Sequence, residues 1–395
     1  MENMPIIKAL IRAALANDGC EVVEHQVDRL IGALRKAGDP DADALQKALQ
    51  SATSQGRAAP SRLKQSRVTT LERLKTGTPI PVDPDSAAPL ATLVFPEDNL
   101  AQEPVFAPEV SAAVRSLTEE WEHQSALLDA GLRPSLTALA YGPSGTGKTT
   151  LALWFAKQLE LPAVVARLDG LISSLLGTTA RNLGALFSFA NRYECVLILD
   201  EFDAIAKVRD DPNEVGEIKR VVNALLQNMD SRATTGITIG LTNHESLLDP
   251  AVWRRFEVQV PVPLPGLPER AAIVSASIGS DESTMSEAKL ISWLTNGMSG
   301  AEVTTVCDKW KKRRIIDASG TASAADIVVQ AVMSTAARFG TRSISQFANR
   351  DAMIVALAQA DDAHFGVAEL AGLFGVSPKT VSRRISDAEG ELAHG

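Results

Sequence analysis

Tyr141-Gly-Pro-Ser-Gly-Thr-Gly-Lys-Thr-Thr150 is the stretch on which the fold turns. It satisfies G-x-x-x-x-G-K-[ST], and it lies between a strand-like run, residues 135–141, and a helical pattern from Thr149 to Leu159, the setting that gives the motif meaning. Glycines free the main-chain N–H groups to wrap around phosphates, and the following helix points its positive end at them. Read this way, Gly142, Pro143, Ser144, Gly145, Thr146, Gly147, Lys148, Thr149 and Thr150 form a cradle for ATP. Lys148 is the cation for the β- and γ-phosphates, and the Thr149 hydroxyl is a ligand for Mg²⁺. A chance match in a loop is the competing reading, and the flanking elements speak against it.

A second motif strengthens the first. Cys195-Val-Leu-Ile-Leu-Asp-Glu201 is an apolar strand that ends in two carboxylates. A buried strand avoids charge at its end unless a cation or a reaction waits there. Asp200 is placed to hold the Mg²⁺ shell and Glu201 to polarise an attacking water. The other reading, a solvated turn, stays open.

Working outward, helical and strand patterns alternate through 149–159, 163–168, 179–190, 195–199, 215–229 and 236–241. Alternation of this kind implies crossover connections, hence an α/β fold: a P-loop NTPase parallel sheet with helices on both faces. After Pro265 only helical patterns follow, which predicts an all-α lid. The expected organisation is a helical N-terminal interaction domain over 1–76 and a Pro-rich linker over 77–98. The nucleotide-binding α/β domain then covers 99–265, the lid 266–338 and a C-terminal helix-turn-helix-like domain 339–395. Five prolines between Pro79 and Pro96 argue against any regular element there.

Composition narrows the classes. The 395 residues carry 39 basic and 48 acidic side chains, a formal net charge of −9, which disfavours a chain that coats nucleic acid through bulk charge. The three cysteines, Cys20, Cys195 and Cys307, are far apart and share no metal spacing with histidines. No apolar run approaches the roughly 18 residues that span a bilayer, and Lys8 and Arg12 interrupt the first apolar stretch. The expectation is a cytoplasmic protein with neither signal peptide nor membrane anchor. A basic stretch from Arg57 to Lys75 and the run Lys309-Trp-Lys-Lys-Arg-Arg314 read first as solvated faces.

These motifs, with Thr242-Asn-His244, Leu248-Asp-Pro-Ala-Val-Trp-Arg-Arg-Phe256 and Ser299-Gly-Ala-Glu302, resemble the AAA proper clade of AAA+ ATPases over roughly residues 92 to 335. The resemblance implies that Asn243 is a polar sensor that orients water between the γ-phosphate and Glu201. It implies that Arg255 is an arginine finger acting in a neighbouring copy, with Arg254 sharing or assisting that role, and so a homo-oligomer, usually a hexameric ring. Residues 167–172, 200–205 and 215–223 look like bacterial AAA ATPases encoded beside subtilisin-like serine proteases, which makes such a protease a plausible partner. There are departures. The pore position that many threading rings fill with an aromatic reads Leu175-Leu176-Gly177, and Val258 stands where many relatives carry a further arginine.

Residues 366–385 have helix-turn-helix spacing, with Gly375 at the turn and Ser377-Pro378 opening the second helix. Lys379, Thr380, Ser382, Arg383 and Arg384 are expected to point outward, a set able to meet DNA phosphates and base edges. The functional expectation is an oligomeric, Mg²⁺-dependent ATPase that remodels or activates a macromolecular partner. The alternative is an ATP-switched DNA-binding regulator acting through the tail.

Overall fold

The computed structural model describes residues 73–98, 103–167, 176–203, 215–232, 236–279, 281, 284–317, 321–339, 349–360 and 365–394. The chain divides into two compact units, 1–69 and 70–395, and every described residue belongs to the second. The helices expected before residue 50, most of the basic stretch and Leu175 lie outside the described residues.

One sheet organises the first half of this unit. Its strands are β1 (Ala91–Val94), β2 (Thr137–Tyr141), β3 (Ala163–Ala166), β4 (Val196–Leu199), β5 (Thr238–Thr242) and β6 (Val258–Pro261), in the spatial order β1-β3-β4-β5-β2-β6. β3, β4, β5, β2 and β6 run parallel, and β1 pairs antiparallel with β3 at the edge. The pleat sends alternate side chains to opposite faces. Leu139, Leu197 and Leu199 therefore join one cluster with Leu183, Leu186 and Phe187 of α4 (Leu176–Arg192) and Leu225 of α5 (Val215–Asp230). Ala138, Ala140, Val196 and Ile198 join another with Val110 of α1 (Pro108–Glu122) and Leu151 and Phe155 of α3 (Lys148–Gln158). Between α1 and β2 lies the short α2 (Gln124–Asp129). Each fully buried Leu, Ile or Phe in these layers stabilises the fold by about 1.5–3 kcal/mol. The expected α/β sheet with helices on both faces is what the protein has.

Two strands differ from the sequence reading. The proline-rich stretch expected to hold no regular element contains β1. Pro89 and Pro96 flank that strand instead of interrupting it, and an edge strand tolerates such neighbours. Its approach is also packed: Leu90 and Ala91 are buried in the core, and Asp83 accepts hydrogen bonds from Ser86 Oγ (2.6 Å) and Asn182 Nδ2 (3.1 Å). Those bonds hold the Asp83 carboxyl below its ordinary value. β6 was not among the expected strands; it is short, and only Val260 of it is buried.

Past α6 (Pro250–Trp253) and β6 the regular elements among the described residues are helices: α7 (Leu267–Ile278), α8 (Met285–Leu294), α9 (Gly300–Ile316), α10 (Ala324–Phe339), α11 (Arg350–Ala358), α12 (Val367–Phe374) and α13 (Pro378–His394). A single hydrophobic cluster runs through all of them, from Val274, Leu290 and Val306 to Ile354, Leu370, Phe374 and Val381. Lys289 of α8 reaches Glu369 of α12 at 2.9 Å, so the helices after residue 349 share the lid's core and are pinned to it.

Gly375, at φ 62°, ends α12 in a left-handed turn, and Ser377 Oγ accepts the Thr380 N–H at 3.2 Å as α13 begins. The outward set expected on α13 needs correction at two places. Thr380 is half-buried, and Arg384 is drawn into an ion pair with Asp351 Oδ1 of α11 at 2.9 Å. No helix among the described residues is long and apolar enough to cross a membrane.

Candidate nucleotide-binding site

The turn from β2 into α3 is shaped by its glycines. Gly142 has φ +146° and sits so close to the Val262 carbonyl that a Cβ there would collide with it. Gly145 has φ +76°, and a Cβ on it would stand 2.7 Å from Ser299 Oγ of the lid. The loop therefore lies against β6 on one side and the start of α9 on the other. Ala301 N–H donates to Gly145 O at 3.1 Å, which joins lid and loop through their main chains. Ser299 and Glu302 close a capping box at the head of α9, fixing the turn that presents this N–H.

Lys148, the first residue of α3, is buried. Its Nζ donates to Gly142 O (2.9 Å) and Pro143 O (2.8 Å), folding the loop over its own ammonium. Burial pushes the Lys148 pKa down, while Asp200, Asp203 and Glu245 pull it back up. Next to it, Thr149 Oγ1 donates to Asp200 Oδ2 at 2.8 Å. A hydroxyl and a carboxylate in contact are the hard oxygen donors that suit Mg²⁺, which typically takes one or two carboxylates and completes its shell with water and phosphate oxygens. The residues present fit that ion.

Glu201 follows Asp200 with φ 48°, a conformation uncommon outside glycine, and its N–H donates to Asp200 Oδ1 at 2.9 Å. Both residues line a cavity of about 510 Å³, whose wall also includes Asn243, the first residue after β5. The cavity is within the usual size range for small-molecule sites. The phosphate-loop residues from Ser144 to Thr150, Asp200, Glu201 and Asn243 are thus brought together.

Arg254 and Arg255 are not on this wall. The Arg255 carbonyl accepts a bond from Thr137 Oγ1 (2.7 Å) at the start of β2, about 13 Å of strand away from the loop that follows Tyr141. Its guanidinium pairs with Asp230 Oδ2 of α5 at 3.1 Å.

Phe106, Glu269, Ile273 and Thr304 are also on the wall, and the sequence alone did not single them out. They come from the approach to α1 and from α7 and α9, joined to the loop only by the fold. The one signal in the sequence was Ser299-Gly-Ala-Glu302, whose turn abuts Gly145.

Residues 138–264 match the family model described as "ATPase family associated with various cellular activities (AAA)". The matched segment holds the phosphate-loop residues, Asp200, Glu201 and Asn243. The chain is 41% identical over 174 residues to the uncharacterized AAA family ATPase y4kL of Sinorhizobium fredii, covering 44% of this chain and 52% of that protein. It is 36% identical over 170 residues to a Methanothermobacter marburgensis protein named as a 26S proteasome regulatory subunit homolog, covering 42% and 45%. The chain thus spans about half the length of the curated relatives it matches. Among solved structures it is similar to the FIGL-1 AAA domain, at TM-score 0.49 and 24% identity over 62% of this chain and 85% of that one.

Proposed function

We propose that the chain is a Mg²⁺-dependent ATPase that works as a homo-oligomer and remodels or activates a protein partner. The observation that carries this reading is the Thr149–Asp200 contact beneath the Lys148-bearing loop, with Glu201 and Asn243 on the same cavity wall. Thr149 and Asp200 would hold the ion, which when bound neutralises charge on the phosphate oxygens. Lys148 supplies the fixed cation, Glu201 draws the proton of an attacking water, and the Asn243 amide orients that water. The hydrogen bond from Ala301 to Gly145 gives the lid a direct connection to the phosphate end of the site, so loop and lid respond to nucleotide together.

Arg255, held away from its own cavity, acts on the site of an adjoining copy, and Arg254 assists it. The resemblance to AAA rings favours a hexamer. The relative named as a proteasome regulatory subunit homolog supports a protein partner, and the resemblance to ATPases encoded beside subtilisin-like proteases makes a protease the candidate. The Arg384–Asp351 pair takes one cation from the face a DNA-binding tail would use, which favours the remodeller over the DNA-binding regulator.

The test is a mixing experiment. Glu201→Gln and Arg255→Ala are each expected to lower phosphate release by about 100-fold or more. Mixed, the two variants should recover part of the turnover, because an Arg255→Ala subunit keeps an intact Glu201 and borrows Arg255 from its Glu201→Gln neighbour. Full activity of Arg255→Ala alone would refute the shared site.

A further inference from the structure

Thr242 ends β5 and is fully buried. A hydroxyl in that position costs free energy unless it is bonded, and Val would suit a buried strand end as well by shape. Here the hydroxyl has two partners. It donates to Asp203 Oδ1 at 2.8 Å and accepts the His244 N–H at 2.9 Å. The Thr242 carbonyl accepts the Gly142 N–H at 3.3 Å, where β2 enters the phosphate loop. One residue thus ties together three segments: the phosphate loop, the turn carrying Asp200 and Glu201, and the turn carrying Asn243. A neighbouring main-chain bond, Phe202 N–H to Leu241 O at 3.2 Å, runs between the last two.

The two partners of the side-chain bond are off the cavity wall, whereas a residue one or two positions from each lines it. Glu201 and Asn243 are on its wall; Asp203 and Thr242 are not. Thr is also restricted at χ1, so its hydroxyl has few alternative directions once the strand is fixed. We propose that Asp203 and Thr242 form a positioning latch, which locks the Glu201 turn to the Asn243 turn so that carboxylate and amide meet the same water. The latch rests on the ATPase reading above and adds two residues that act through others. Misplacing a reacting group by about 1 Å can cost about 100-fold in rate, which sets the scale of the effect.

The experiment uses the full chain with Thr242→Val, Thr242→Ser, Asp203→Ala and Asp203→Asn. For each, kcat and KM for magnesium ATP are measured, together with hydrogen exchange across residues 241–248 without nucleotide. Thr242→Val and Asp203→Ala are expected to lower kcat by about tenfold or more with KM within about threefold, and to speed exchange at the His244 amide. Thr242→Ser keeps the donor and Asp203→Asn keeps an acceptor oxygen, so both should restore kcat and slow exchange. Wild-type kcat and exchange in Thr242→Val would overturn the latch. So would an Asp203→Asn variant as impaired as Asp203→Ala, since the charge and not the bond would then matter. Exchange is read on the free chain; a wild type that fails to hydrolyse ATP would sink the ATPase reading, while the latch would still be judged by the exchange rates.

Discussion

Lys148 in the α/β half and Glu287 in the helical half are both nearly out of water, 7% and 3% exposed, and burial pushes each toward its neutral form. Their surroundings differ. Glu287 is met by Trp310 Nε1 at 2.6 Å and by the Arg314 guanidinium at 2.9 Å, so its charge is answered inside the lid. Lys148 donates hydrogen bonds to two neutral main-chain carbonyls and has no carboxylate in direct contact among these bonds, only the fields of Asp200, Asp203 and Glu245, at the wall of an open cavity. The buried charge of Glu287 completes a core, whereas that of Lys148 lies on the wall of a cavity.

Replacing Lys148 should break that contrast most severely. Lys148→Ala is expected to weaken magnesium ATP binding by about 100-fold or more, the scale of losing a charge-assisted contact to phosphate, with circular dichroism close to wild type. Comparable affinity in the variant would show that the ammonium is structural, like Glu287.

Gly145→Ala probes the seam between the halves. The added methyl would be strained at φ +76° and would press on Ser299 Oγ, so loop and lid must separate. Nucleotide affinity is expected to fall about tenfold and the unfolding free energy by about 1 kcal/mol, read by fluorescence titration and denaturant unfolding. No change in either would mean that the Ala301–Gly145 connection plays no part in binding.

The smallest effect belongs to Glu287. Its folded-state pKa is raised above the ordinary 4.5, chiefly by burial, with the Trp310 and Arg314 contacts opposing. The folded state therefore holds this proton more tightly than the unfolded chain does. The resulting stabilisation is present below 4.5 and is lost as pH rises through the folded value. Glu287→Gln removes the titration, so its unfolding temperature should vary less with pH than wild type across that window. Parallel pH profiles would argue that the carboxyl is not desolvated.

Much of the site was legible because its residues are contiguous. Residues 141–150 and 195–201 each carry their own flanking element, and alternation between helical and strand periods was enough to place them at the ends of parallel strands. What escaped was set by distant packing. β1 hides between prolines because its stability comes from pairing with β3 and from Leu90 in the core. Phe106, Ile273 and Thr304 have no local signature, since only the fold brings their segments to one cavity. Arg384 read as a surface cation because the acid that claims it, Asp351, sits on another helix. The shared core of lid and tail was likewise invisible: each helix shows an apolar stripe, and the sequence does not say which stripes face one another.

The central claim is that the loop from Gly142 to Thr150, with Asp200 beside Thr149, receives a magnesium nucleotide. Calorimetric titration of the folded chain with magnesium ATP tests it most directly. The expected result is saturable uptake that weakens sharply in Lys148→Ala; an absence of heat from a well-folded wild-type chain, at concentrations where the nucleotide should saturate, would contradict it.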